Sequence, residues 1–188
     1  MALVTFGKDK PMDVVLIGRV TLDFNPNEMN RTLDKVKTFS MYLGGSPGNM
    51  AVGINKLGKK VGFIGCVSDD QFGDFVINYF NDRGIDTSQM TRAQHGERIG
   101  LTFTEMKSPT ESSILMYRDQ VADLEIRPED VSEDYIAKAK ILIISGTALS
   151  KSPSREACLL AAQYAKKHDT RIIFDLDYRP YSWRAKID

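Results

Sequence analysis

Four runs of apolar residues, each of strand length, alternate along this 188-residue chain with stretches of helical periodicity. The runs occupy residues 14–18, 61–67, 141–146 and 172–176. The first three runs are typical of strands that are buried on both faces, and the fourth is a strand whose end breaks into charge. Between the runs, apolar residues recur at helical spacing in 50–57, 72–80 and 157–164. The alternation predicts an α/β fold of three layers, in which helices cover both faces of a mainly parallel sheet.

The run Gly44-Gly45-Ser46-Pro47-Gly48-Asn49 turns a predicted strand into the first helix. Ser46 is expected to cap that helix through its hydroxyl, and a proline in the first turn loses no hydrogen bond. The paired glycines permit either a sharp turn or the close approach of a ligand. Exposed N–H groups at a helix start also suit a polar or anionic ligand, although a flexible helix entry has the same pattern.

Two strands of alternating character interrupt the pattern in the middle of the chain. In residues 99–104, large apolar side chains alternate with glycine and threonine, and residues 113–118 repeat the two-residue period. Residues 107–111 between them are typical of a hairpin connection. Together with residues 37–43 they predict a small second sheet. An exposed apolar face on such a sheet needs a cover, either a ligand or a second subunit.

The composition excludes several classes of function. Lys plus Arg and Asp plus Glu both number 25, so no net charge draws the chain to nucleic acid or to a membrane surface. No stretch approaches the roughly 20 apolar residues of a membrane span, and the first ten residues lack the apolar block of a secretory signal. Cys66 and Cys158 are too few for a disulfide framework or a zinc cluster, and no metal ligands are assigned. A cytoplasmic protein is expected.

Polar residues gather where the predicted strands end. Asp23 follows the first strand, and three charged residues follow the last, namely Asp175, Asp177 and Arg179. In open α/β sheets, ligands bind beyond the carboxyl ends of the strands. These side chains and the glycine pair are therefore expected to converge into one binding site, although patterning alone does not name a reaction.

At these residues the chain resembles the PfkB family of ribokinase-like carbohydrate kinases. Residues 18–23, 44–49 and 69–73 are similar to motifs in the N-terminal half of that family. Further matches at 38–40, 113–118, 145–149, 152–156 and 175–180 are closest to the 5-dehydro-2-deoxygluconokinases of inositol breakdown. The resemblance covers residues 13–184. It implies that residues 1–188 are the N-terminal portion of a single sugar-kinase domain, with lid strands drawn from about 19–45 and 97–120.

The resemblance implies substrate-binding roles in the first third of the chain. Asp23 is expected to hold sugar hydroxyls, and Gly44, Gly45 and Asn49 are expected to face the substrate. The alternatives are a turn aspartate, a tight turn at the glycines and an ordinary first-turn helix residue at Asn49.

Tyr117 and Arg118 resemble the pair that holds the acid end of the sugar in ketodeoxygluconate kinases. A guanidinium fork pairs with a carboxylate through two charge-assisted hydrogen bonds, so the chemistry suits a sugar acid. The alternative is a packing tyrosine beside a surface arginine on a hairpin.

Asp175, Asp177 and Arg179 match the family's strand-end motif near the substrate and the phosphates. Many relatives carry asparagine at the position of Asp177. Arg179 is a candidate to stabilise charge on the transferred phosphoryl group. Its alternative role is an ion pair with Asp175 or Asp177.

The second signature of the family, Gly-x-Gly-Asp, does not occur in these 188 residues. Its aspartate is the general base in the family, and its glycines form an anion hole at a helix start. The resemblance therefore implies that the base and most of the ATP pocket lie beyond residue 188, and that this chain alone is inactive. ATP and Mg²⁺ are the implied cofactors, and a homodimer through the lid sheet is the implied assembly.

Several functions remain open from the sequence. The first is ATP-dependent phosphorylation of 5-dehydro-2-deoxygluconate, with a ketodeoxygluconate kinase or a fructokinase as the nearest rivals. The second is a sugar-acid-binding protein without catalysis. The third is a half-domain that completes another chain.

Overall fold

The chain forms two sheets, which a computed structural model describes over residues 5–7 and 9–183. The last residue of the family resemblance, Arg184, lies outside the described residues. The strands are β1 (Met12–Ile17), β2 (Thr21–Pro26), β3 (Phe39–Gly44), β4 (Val61–Val67), β5 (Asp86–Arg92), β6 (Gly100–Met106), β7 (Ser112–Tyr117), β8 (Ala139–Ser145) and β9 (Arg171–Asp175). The helices are α1 (Ser46–Lys56), α2 (Gln71–Asn81), α3 (Glu133–Ala137) and α4 (Ser154–Lys167). Short 3-10 helices lie at 33–35, 122–124, 128–130, 146–149 and 180–182.

The larger sheet, here called the main sheet, has five parallel strands in the order β5-β4-β1-β8-β9. Val14 of the central strand β1 pairs with Val61 on one side and with Ile141 on the other. Strands in this position are buried on both faces, which explains their unbroken apolar sequences.

Two apolar cores lie on opposite faces of the main sheet. Val14 and Leu16 of β1 pack in one core with residues of α1 and α2, while Val15 and Ile17 pack in the other with residues of α3 and α4. Alternate residues of a strand point to opposite faces, so β1 contributes equally to both cores. The predicted three-layer α/β fold with a mainly parallel sheet is confirmed.

The smaller sheet, here called the lid sheet, has the strand order β3-β2-β6-β7. β2 runs antiparallel to β3 and parallel to β6, and β6 and β7 form an antiparallel hairpin. Phe103 stacks on Phe24 at 5.0 Å and contacts the rings of Phe39 and Tyr117 edge-on. These four residues define what is called the aromatic face of the lid sheet.

The expected cap of α1 by Ser46 is wrong. Gly45 occupies the position before the helix, and no side chain caps it. The Ser46 hydroxyl instead donates a hydrogen bond to a distant carboxylate, which is described below.

The interior contains both cysteines, and their thiols are buried. Burial raises the pKa of Cys66 to about 11 and that of Cys158 to about 12, so both thiols stay protonated. Within residues 5–7 and 9–183, no helix combines the length and the apolar character that crossing a membrane requires.

Candidate functional site

The carboxyl ends of β1, β8 and β9 lie side by side at one edge of the main sheet, next to the start of α1. There the Ser46 hydroxyl donates a hydrogen bond of 2.9 Å to Oδ2 of Asp175. Gly146, directly after β8, lies against the backbone of 175–176, where any side chain at position 146 would collide with the Leu176 carbonyl. The structure thus brings Asp175 to the glycine run.

Asp23 lies on β2, and its carboxylate lies over Gly44 of the neighbouring strand. A Cβ at Gly44 would collide with that carboxylate, so the absence of a side chain there is what gives Asp23 its space. Burial raises the pKa of Asp23 above its ordinary value, while the Thr102 hydroxyl, the charge of Arg19 and the Thr21 hydroxyl act in the opposite direction. Hydrogen-bond donors from a polyhydroxylated ligand would offset the desolvation of this half-buried carboxylate.

Gly45 makes the turn from the lid sheet into α1. Its φ is 87°, and a Cβ there would lie 2.8 Å from the carbonyl oxygen of Arg19. Only glycine meets both requirements without strain. The Asn49 N–H donates to the Gly45 carbonyl at 2.8 Å, while the Asn49 side chain is exposed at the start of the helix. Gly45 is therefore required by the turn, and Asn49 presents an amide to the surface.

A buried ion pair holds Arg118 directly after β7. Its Nη1 and Nη2 donate to Oδ1 and Oδ2 of Asp123 at 3.1 and 2.7 Å, and the two side chains are 8% and 2% exposed. A Cβ on Gly100 would lie 3.0 Å from Nη1 of Arg118 and 3.1 Å from the Thr21 methyl. Because Thr21 and Asp23 are two residues apart on β2, they share a face of the lid sheet. Arg118 therefore lies on the Asp23 side of the lid sheet, as a buried rather than a surface arginine.

Tyr117 lies on the other side of the lid sheet. Its ring packs edge-on against Phe103 at 5.9 Å, on the aromatic face. Successive residues along a strand point to opposite faces. The structure therefore does not bring Tyr117 and Arg118 together, and Tyr117 has the geometry of the packing alternative.

Three charged side chains interact beside the end of β9, namely Asp177 and Arg179, which follow that strand, and Arg19 from the segment between β1 and β2. Arg179 Nε donates to Oδ1 of Asp177 at 2.6 Å, and Arg19 Nη2 lies 3.5 Å from Oδ2 of the same carboxylate. The Arg19 and Asp177 side chains are 6% and 8% exposed, whereas that of Arg179 is 50% exposed. The hydrogen bond to Asp177 raises the pKa of Arg179 above its ordinary value. Arg179 thus makes the ion pair that was its alternative role, while half of its side chain remains open to a ligand.

The sequence alone does not single out Arg19. A lone arginine after a strand belongs to no pattern of spacing, and its partner Asp177 lies far along the chain. The one available signal is its position between Gly18 and Asp23, in a stretch where the chain must pass from one sheet to the other.

A cavity of about 610 Å³ separates β7 from the segment after β9. The charged residues that line it are Arg118, Lys151 and Arg179, together with Asp119 and Glu125. Two predicted ligand residues, Arg118 and Arg179, therefore border one space. Guanidinium groups at such a border can donate charge-assisted hydrogen bonds to an anionic ligand.

The chain matches the family model described as pfkB family carbohydrate kinase over residues 12–188. It therefore belongs to the PfkB family of carbohydrate kinases, as the resemblance implies. The 5-dehydro-2-deoxygluconokinase of Clostridium tetani is 64% identical over 186 residues, which are 99% of this chain and 55% of the relative. That of Geobacillus kaustophilus is 54% identical over 186 residues, with 99% and 56% covered.

Solved structures give the same fold. The fructokinase of Xylella fastidiosa has a TM-score of 0.84 at 25% identity, over 95% of this chain and 54% of that one. A sugar kinase of Pyrococcus horikoshii, solved in complex with ATP, has a TM-score of 0.81 at 29% identity, over 92% and 56%. The chain therefore spans about half the length of the relatives it matches.

Proposed function

We propose that the protein to which this chain belongs transfers a phosphoryl group from ATP to a sugar acid, and that the acid is 5-dehydro-2-deoxygluconate. The observation that carries the proposal is the 64% identity, along 99% of the chain, to a relative named for that activity. The guanidinium groups of Arg118 and Arg179 at the cavity support an anionic substrate, and the Asp23 carboxylate supports one that carries hydroxyl groups.

In this proposal each side chain binds a different part of the substrate. Asp23 accepts hydrogen bonds from sugar hydroxyls, and Gly44 and Gly45 let the sugar approach the backbone. Asn49 donates from the start of α1, and Asp175 accepts beside it. The sugar carboxylate lies toward Arg118, whose remaining N–H groups are candidates to bind it. Lid closure over the sugar would exclude water from the transfer step.

Arg179 is the residue of this chain that we assign to the phosphoryl group. Its half-exposed guanidinium lines the cavity, and Asp177 holds it through Nε. A fixed cation at that position stabilises negative charge that develops on the transferred group.

ATP and Mg²⁺ are the proposed cofactors, and Mg²⁺ would neutralise charge on the phosphates. The described part of the chain contains no group of three or more His, Cys, Asp or Glu side chains able to hold a metal ion. The Gly-x-Gly-Asp run that carries the general base in the family does not occur in these residues, so we place the base and most of the ATP pocket in the part of the relatives' length that this chain does not span. It follows that the 188 residues alone should not turn over.

A homodimer through the aromatic face of the lid sheet is the proposed assembly. Leu115 and Tyr117 on that face are 43% and 58% exposed. An apolar sheet face of this kind is covered in a stable protein by a partner, and a second copy provides an identical face.

The test is ADP release from ATP and Mg²⁺, measured on these 188 residues and on the protein extended to its gene-encoded end. The acceptors are 5-dehydro-2-deoxygluconate, 2-keto-3-deoxygluconate and fructose, because a structural neighbour is named a fructokinase. Turnover only by the extended protein, fastest with 5-dehydro-2-deoxygluconate, supports the proposal. Faster turnover with another acceptor would make that acceptor the proposed substrate instead. Binding of a sugar acid without turnover would favour a non-catalytic binding protein.

A further inference from the structure

Arg19 occupies the point where the chain leaves the main sheet for the lid sheet. β1 ends at Ile17 and β2 begins at Thr21, and the Arg19 carbonyl accepts a hydrogen bond from the Gly48 N–H at 3.3 Å. The guanidinium is almost completely buried, and its Nε and Nη1 have no hydrogen-bond partner among the described residues. A buried charge in this state is costly unless nearby opposite charges balance it.

Two carboxylates from different sheets provide that balance. Asp177, after β9, has its Oδ2 at 3.5 Å from Arg19 Nη2, and this oxygen is itself buried without a hydrogen bond. Asp23, on β2, has its carboxylate over Gly44, while the neighbouring Gly45 lies against the Arg19 carbonyl. Burial raises the pKa of Asp23, and the charge of Arg19 lowers it by favouring the ionised form. The interaction of Arg19 with both acids is therefore one of charge rather than of hydrogen bonding, and it acts across the junction of the two sheets.

We propose that Arg19 is a positioning residue of the sugar site: its buried charge joins Asp23 of the lid sheet to Asp177 of the main sheet and, through Asp177, fixes Arg179 beside the cavity. The proposal deepens the proposed function and rests on it for the identity of the ligand. A carboxylate at Asp23 can accept hydrogen bonds from sugar hydroxyls. The Asp177 carboxylate accepts the hydrogen bond from Arg179 Nε and so holds that side chain. The pairing also gives a reason for aspartate at 177, because a neutral asparagine would leave the buried Arg19 charge unbalanced.

The other charged groups nearby increase the dependence of Asp23 and Asp177 on the charge of Arg19. Asp175 lies at the end of β9, bonded to Ser46, and Arg118 is already balanced by Asp123. Tyr42 of β3 is paired with Asp23 across the lid sheet. Removing Arg19 would therefore leave Asp177 with Arg179 as its one remaining ion-pair partner among the described residues, and would take away the charge that favours the ionised form of Asp23.

The first experiment measures binding of 5-dehydro-2-deoxygluconate by calorimetry as a function of pH, on the protein extended to its gene-encoded end. The variants are Arg19→Gln, Asp177→Asn and the double variant, with Arg92→Gln as the matched control, since Arg92 pairs with Asp74 at the surface. We expect Arg19→Gln to raise the Kd about 10-fold or more at neutral pH, the size of a lost interaction with a charged group. The acid limb of binding should move to higher pH, because Asp23 then protonates more readily.

The variants also separate positioning from folding. Asp177→Asn leaves the buried Arg19 charge unpaired and should lower the melting temperature more than the double variant does. A Kd for Arg19→Gln within twofold of the wild-type value, or a weaker Kd with an unmoved pH profile, would overturn the proposal.

A second readout does not need the sugar. Carbon-13 NMR of labelled aspartate carboxyls, with Asp23→Asn for assignment, follows the titration of Asp23 directly. We expect Arg19→Gln to move that titration to higher pH and Arg92→Gln to leave it in place. If the wild-type protein binds no sugar acid while the Asp23 titration moves, the proposed function fails and the link between Arg19 and Asp23 stands. If the titration does not move, the Arg19 proposal fails whatever the sugar does.

Discussion

The Ser46 hydroxyl donates a hydrogen bond to the Asp175 carboxylate at 2.9 Å, so that the first residue of α1 is fixed to the last residue of β9. The two residues are 129 positions apart in the chain. A carboxylate at the start of an 11-residue helix is also stabilised by the helix dipole. Asp175 is therefore fixed in place before any ligand arrives, which is the arrangement that a binding site requires.

Gly44→Ala is expected to weaken sugar binding while the fold is retained. The new Cβ would occupy the space of the Asp23 carboxylate, which must then turn away. We expect the Kd for the sugar acid to rise about 10-fold or more, measured by calorimetry on the extended protein. Gly53→Ala is the control, because nothing lies within 4 Å of a Cβ at that helical position, and it should gain about 0.5–1 kcal/mol of stability. Equal affinities in the two variants would contradict the role of the Asp23–Gly44 contact.

How far the sequence predicts the fold depends on how a strand is buried. β4 is predicted at its observed bounds, 61–67, because all seven of its residues are buried and apolar character is unbroken. β2 is not assigned from its pattern, because one of its faces carries Asp23 and Asn25 toward the ligand side. β5 is not assigned either, since an edge strand with the sequence DTSQMTR buries little apolar surface. A binding face and a sheet edge both remove the signal that identifies a strand.

Asp123→Ala is expected to destabilise the protein strongly. It would leave the Arg118 guanidinium buried without its partner, at a cost of about 3–5 kcal/mol in the free energy of unfolding. Asp74→Ala removes a partner of the more exposed Arg92 and should cost less than about 1 kcal/mol. Urea denaturation of both variants makes the comparison. The double variant Arg118→Met with Asp123→Leu should recover most of the lost free energy of unfolding. If it is destabilised as much as Asp123→Ala, an unpaired Arg118 charge is not the cause of the destabilisation.

Acid should weaken the contact between α3 and the end of α4 through Glu133. This carboxylate accepts hydrogen bonds from Lys167 Nζ at 2.7 Å and pairs with His168 Nε2 at 2.6 Å, and these interactions lower its pKa. A carboxyl with a lowered folded-state pKa adds stability above its unfolded pKa and loses it as the pH falls through the folded value. Melting curves between neutral and acid pH should therefore fall less steeply for Glu133→Gln than for the wild type. Asp134→Asn, on the same helix but outside this cluster, should retain the wild-type slope.

Leu115→Asp is expected to convert the proposed homodimer into a monomer. The substitution places a charge on the aromatic face, where a second copy would have to bury it. Ile114→Asp is the matched control, since Ile114 is the next residue on β7, is exposed and points to the opposite face. Light scattering of the extended protein should give half the wild-type mass for Leu115→Asp alone. A monomeric wild type would remove the dimer proposal.

The candidate site is predictable in its parts but not in its connections. Asp175 and Arg179 stand out because they lie at and just after the end of β9, and Asp23 stands out because it comes soon after β1. The topology of a parallel sheet brings the ends of these strands to one edge. The alternation of side chains along β7 places Tyr117 and Arg118 on opposite sides of the lid sheet, although they are neighbours in sequence. The pairing of Arg19 with Asp177 forms only when distant segments of the folded chain come together, so it cannot be predicted from local sequence spacing.

The strand order of the lid sheet has a consequence for the order in which the protein folds. β6 and β7 are joined by a short hairpin, whereas β2 reaches β6 only when residues as distant as Asn25 and Thr104, 79 positions apart, come together. Contacts of high sequence separation form slowly because loop-closure entropy must be overcome first. The pairing of β2 with β6 should therefore gain protection from exchange later than the β6–β7 hairpin does. A sugar bound at Asp23 would stabilise this later pairing, because a ligand stabilises the structure that holds it.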